Sequence, residues 1–152
     1  MKTTTDYLDK LYHDYILERD IPLHKHQFIH LLKIYPSLVV LMSDGIVDKE
    51  ERLIMNIQAS KLGYDHATDD LGIEKEENLM LIYRAEFRYL IKHRHEWERK
   101  FLDALKEFLE NNEEEKSLVK ETMQLFASAS QGTSVEEEFA IGQLKMYLSL
   151  DD

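Results

Sequence analysis

An all-α fold is the class this sequence predicts, and three observations carry the prediction. Breakers are scarce: 152 residues hold five Gly and two Pro, Pro22 and Pro36. Leu, Lys and Glu abound, which favours helices over short strands and turns. Apolar residues recur at helical spacing from Tyr7 to Leu148, and helix stop and start signals punctuate that pattern.

The first helix is expected over about Thr5 to Arg19, with Leu8, Leu11 and Tyr15 on one face and Ile21-Pro22 closing it. A second starts near Leu23 or His24 and turns Phe28, Leu31, Leu32 and Tyr35 inward. Pro36 removes a helical hydrogen bond and clashes one turn back, so a kink is expected there. The run Leu38-Val-Val-Leu-Met42 reads as buried helix, a buried strand being the weaker option. It stops at Asp44-Gly45, where Gly suits a left-handed position after a helix. Asp48 and Glu51 have capping-box spacing and open a third helix, which carries Leu53, Ile54, Ile57 and Leu62 and ends at Gly63. Tyr64 to Gly72 reads as a loop.

From Glu74 to Glu110 there is neither Gly nor Pro. Tyr83, Phe87, Leu90 and Ile91 mark one apolar face; Trp97, Phe101, Leu105 and Phe108 mark another. Lys92-His-Arg-His-Glu96 between them offers nothing apolar to bury, so a break belongs there. Asn111-Asn112 ends that helix and Glu113-Glu-Glu115 starts the next, where the dipole favours acids; its stripe is Val119, Met123 and Phe126. Ser134 and Glu137 make a second capping-box spacing before a last helix carrying Ile141, Leu144 and Leu148. The sum is one domain of about seven helices, with repeat-like halves at about 23–63 and 113–150. Gly45 aligns with Gly132, Glu51 with Glu138, Ile54 with Ile141 and Ile57 with Leu144, which suggests a pseudo-twofold bundle.

Composition narrows function. A net charge of −11 repels phosphate backbones and disfavours nucleic acid as a partner. The absence of Cys removes disulfides, thiolate catalysis and Cys-based zinc sites. The N-terminal residues lack the apolar core of a signal peptide, and no apolar run approaches the ~20 residues that span a bilayer. A cytoplasmic protein without a direct membrane span is the expectation.

Asp44, Asp48 and Glu51 bring three carboxylates into one short turn. A hard cation takes such oxygens, although the spacing is not that of an EF-hand. The plainer reading has Asp48 and Glu51 capping the third helix and Asp44 bonding the turn backbone. His24, His26 and His30 include an i, i+4 pair able to chelate zinc or nickel, or else form the polar face of an amphipathic helix. His93 and His95 diverge on a helix and read as surface or hinge residues. Lys92, Arg94, Arg99 and Lys100 form a small basic cluster, either a solvated face or a contact for an acidic partner. No nucleophile elbow and no phosphate-binding glycine pattern occurs.

Ser-Asp-Gly-Ile-Val-Asp-Lys-Glu-Glu (Ser43 to Glu51), after an apolar helix and before Leu53-Ile54-x-x-Ile57, resembles the first signature of the tellurite-resistance TerB-like family. The resemblance covers about Leu23 to Leu148 and matches a second acidic element to Gln131-Gly132 through Glu138. Gln131 departs from the family pattern, which prefers Asp. The resemblance implies an all-helical domain without an established reaction, associated with tellurite and chemical stress and with protein partners in membrane-proximal complexes. It also implies a divalent metal (Ca, Mg or Zn) at Asp44, Asp48, Glu51 and Glu138. The resulting expectation is a non-enzymatic module binding an ion or a protein through its acidic turns. A pure interaction scaffold with the acids as caps is the alternative, and a metal-dependent hydrolase the distant one.

Overall fold

A computed structural model describes residues 6–21, 23–43, 73–127 and 134–150, with side-chain placement for all but Asp6, residues 73–80 and Phe126. Among these residues there are six α-helices, one short 3₁₀ turn and no strand: α1 Asp6–Arg19, α2 Lys25–Met42, α3 Ile73–Lys92, α4 Arg94–Glu110, the 3₁₀ turn Glu113–Glu115, α5 Lys116–Ala127 and α6 Val135–Leu148. The all-helical expectation is borne out. The third helix expected from Asp48 to Gly63, the loop from Tyr64 to Gly72, and the first member of the proposed repeat lie outside the described residues.

α2 is the axis of the fold. Every residue from Leu31 to Leu41 is buried, as expected of a helix apolar on all sides. It packs against α3, α4, α5 and α6, while α1 packs against α4. The run Leu38–Met42 is helical, so the strand option is set aside. Pro36 sits inside this helix, which continues on both sides of it; burial on every face offsets the lost hydrogen bond. α2 begins at Lys25 with His24 at the N-cap, whose backbone N–H donates to Gln27 Oε1 at 2.9 Å.

The core around α2 is aromatic. The Tyr15 ring centroid lies 5.0 Å from that of Trp97 and 5.4 Å from Phe101, and Tyr35 lies 4.7 Å from Phe101. These separations favour tilted and edge-on pairs. Two tyrosine hydroxyls span helix ends: Tyr12 donates to the Leu23 carbonyl at 2.6 Å and Tyr83 to the Gln27 carbonyl at 3.0 Å. Lys33, nearly buried on α2, reaches Glu115 at 2.9 Å and ties the 3₁₀ turn to the central helix.

The expected break falls at a single residue. α3 ends at Lys92 and α4 begins at Arg94. His93 N–H still bonds the Tyr89 carbonyl, and the His93 carbonyl receives Glu96 and Trp97. Without an apolar side chain to bury at Lys92–Glu96, the chain turns here at no packing cost. The second capping box forms as expected: Ser134 Oγ accepts from Glu137 N–H at 3.0 Å, and Glu137 Oε1 accepts from Ser134 N–H at 3.0 Å. α6 closes on Ser149, a non-glycine residue at φ 56°, with Leu150 N–H returning to the Lys145 carbonyl.

Candidate functional site

Two regions stand out among the described residues. The first is a buried polar network between α1 and α3. Glu86 is 1% exposed. Its carboxylate accepts Tyr15 Oη–H at 2.5 Å and a two-pronged guanidinium from Arg19 at 2.8 and 2.9 Å. Arg19 also lies over the Tyr89 ring, 3.8 Å from its centroid. Burial, reinforced by the Glu86 charge, raises Tyr15 well above the ordinary phenol range, and the Glu86 hydrogen bond raises Arg19 above an already high value. Both groups are thereby held in one protonation state. The network fixes α1 on α3.

The second region is a groove of about 800 Å³ between the C-terminal end of α2, α4 and α6. Val39 comes from α2 and Ser43 from its C-cap. Arg94, Glu98, Leu102 and Lys106 form one row on α4, spaced four residues apart. Phe139, Gln143, Met146 and Tyr147 come from α6. Arg94 and Glu98 pair with each other, and Tyr147 donates to Asp103 on α4. Ser43 Oγ bonds the Val40 carbonyl at 2.6 Å, which commits the hydroxyl to its own helix. Tyr35 lies beneath this region; burial first, and Glu98 second, raise its phenol above the ordinary range. Phe139 is 66% and Met146 82% exposed, so much apolar surface here faces water.

The expected metal set divides. Glu138 stands exposed in the first turn of α6, while Asp44, Asp48 and Glu51 lie outside the described residues. No cluster of three His, Asp or Glu residues able to hold a metal occurs among the described ones. His24 and His26 stack with ring centroids 5.8 Å apart. His93, expected at the surface or at a hinge, is exposed at the junction of α3 and α4 and stacks on Tyr89 with ring centroids 4.3 Å apart. In the basic cluster Arg94 pairs with Glu98, and Lys100 lies 5.0 Å from the Trp97 ring centroid. No described helix is long and apolar enough to cross a membrane.

Sequence reasoning missed Glu86 and the outer face of α6. Both carried a signal. Glu86 is an acid placed within the apolar stripe of Tyr83, Phe87 and Leu90, so it must face the core. Val135, Phe139 and Met146 are apolar residues off the inward stripe of Ile141, Leu144 and Leu148.

No protein-family model, curated protein or solved structure matches this chain. The TerB-like resemblance rests on the residues that carry it, Ser43 to Glu51.

Proposed function

We propose that this chain is a non-enzymatic helical binding module, and that its binding face is the outer side of α6 with the adjoining groove. One observation carries this reading: Val135, Phe139 and Met146 are 80%, 66% and 82% exposed on a single helix. Monomeric proteins seldom leave such contiguous apolar surface in water unless it binds something. The groove adds paired charges and an aromatic rim, the mixture found at protein interfaces. The chemistry supports binding over turnover: the groove serine is bonded to its own helix, and its arginine and glutamate neutralise each other. The TerB-like resemblance would set such a module in a stress-associated, membrane-proximal assembly.

The test is a photo-activated cross-linking residue at position 139, with one at Glu121 on α5 as the control. A covalent adduct to a polypeptide from position 139 and none from position 121 is expected. Equal yields at the two positions would refute the reading.

A second reading retains a divalent cation at Asp44, Asp48 and Glu51, with Glu138 as a further ligand. Its support is the clustering of three acids within one turn of the sequence and the family resemblance. Binding to the native state raises stability by mass action, so melting is measured with EDTA and with excess Ca²⁺, Mg²⁺ or Zn²⁺. A cation-dependent rise that vanishes in Asp48→Ser is the expected result. Equal melting temperatures in all conditions leave the acids as helix caps.

A further inference from the structure

The apolar residues on the outside of α6 are not scattered. Val135, Phe139, Gly142 and Met146 follow one another at intervals of four, three and four residues. That is the seam spacing of a helix that packs along a second helix. Gly142 is the irregular member. Among the described residues a side chain at this position would meet nothing within 4 Å, so no close approach among them demands glycine. Yet glycine in mid-helix is destabilising relative to alanine. An approach from outside supplies the missing reason for it.

Building on the proposal that α6 is the binding face, we infer that its occupant is a second copy of this chain, with the two α6 helices packed antiparallel about a twofold axis. The seam is complementary to itself in that arrangement. Antiparallel pairing sets Phe139 of one copy over Gly142 of the other, a large ring over an open backbone. It sets Val135 of one against Met146 of the other. The twofold makes each contact twice.

Charge agrees with the same direction. Glu138 and Lys145 flank the seam on the same side, seven residues apart, at opposite ends of the helix. Among the described residues neither takes part in an ion pair. Antiparallel packing brings Glu138 of each copy toward Lys145 of the other, because same-side flanking residues then face each other, whereas parallel packing would set them on opposite sides of the seam and leave the pair unformed. α6 has 14 residues, about 20 Å of helix. Such a seam, even with the groove rim, is small beside a stable interface of about 1,600 Å². The dimer therefore belongs in the micromolar range.

Sedimentation velocity from roughly 5 to 500 µM brackets that range. The expected result for the intact chain is a concentration-dependent passage from one chain mass to two. The double variant Phe139→Glu, Met146→Glu changes only exposed positions, so it should melt as the wild-type monomer does while losing about 100-fold or more in association. Gly142→Leu should obstruct the Phe139 ring and weaken association about tenfold or more. Lys145→Glu should weaken the dimer, and adding Glu138→Lys to it should restore most of the loss.

A dimer that survives Phe139→Glu, Met146→Glu overturns the inference, because the contact then lies elsewhere. A monomer throughout the range also overturns it, and the cross-linker at position 139 then separates the two proposals. An adduct with a different polypeptide removes the second copy but retains the binding face; no adduct removes both.

Discussion

The α1–α3 side and the α6 side of this molecule treat water in opposite ways. On the first, a carboxylate is taken out of water and every demand it makes is met. Glu86 receives a phenol and both prongs of a guanidinium, and that guanidinium is covered by a tyrosine ring. On the second, apolar side chains remain in water although a groove lies beside them. A buried charge tolerates no vacancy, since the cost of leaving it unpaired exceeds what most side-chain contacts return. An exposed apolar seam is tolerable and becomes favourable when another surface covers it. The first side is complete within one chain; the second, on the proposed reading, has its complement outside.

Substitutions should separate the sides most sharply at their centres. Glu86→Ala leaves Arg19 and Tyr15 without their shared partner and should cost about 3 kcal/mol. Phe139→Glu, at an exposed position, should change monomer stability by less than about 0.5 kcal/mol. Urea unfolding in dilute solution measures both, and a similar loss in the two variants would erase the distinction.

Alkaline pH probes the buried phenols. Tyr15 and Tyr35 are both raised above the ordinary value of 10.0, chiefly by burial. Unfolded, they lose their protons above that value; folded, they keep them. The stability they contribute is therefore full below pH 10 and declines above it, by about 1.4 kcal/mol per pH unit for each group. Thermal melts between pH 9 and 11 should show the decline, with a smaller slope in Tyr15→Phe and in Tyr35→Phe.

At neutral pH the same two tyrosines should diverge. Tyr15 donates to a carboxylate, and its loss should cost about 2 kcal/mol. Among the described residues Tyr35 Oη is buried with no hydrogen-bond partner, so Tyr35→Phe should be neutral or stabilising. A matched loss in both would mean that the Tyr35 hydroxyl is bonded in solution. The smallest effect belongs to Gly142→Ala, which should raise monomer stability by about 0.5–1 kcal/mol, measured by melting at a concentration too low for association.

Much of the fold was legible in the sequence. Helices were readable where apolar spacing ran uninterrupted, as in α1 and α4. The break at His93 was readable from a stretch with nothing to bury, and the capping box at Ser134 and Glu137 formed as its spacing implied. The polar network was harder to find. Residue type alone assigns Glu to the surface, and only the pairing of Glu86 with Arg19, 67 positions away, makes its burial affordable. The outer seam of α6 was hidden by the inner one. Ile141, Leu144 and Leu148 already account for a core face, and a second apolar face on the same helix gains meaning only once the first is known to be filled. Of the acids singled out from the sequence, Glu138 is placed, exposed, at the start of α6.

Amide hydrogen exchange, compared between dilute and concentrated protein, tests the contrast between the two sides most directly. The account predicts that protection over residues 135–147 rises with concentration, while protection in α1 and across the Glu86 region of α3 does not change. Protection in α6 that is independent of concentration, or a rise spread evenly over all the helices, would contradict it.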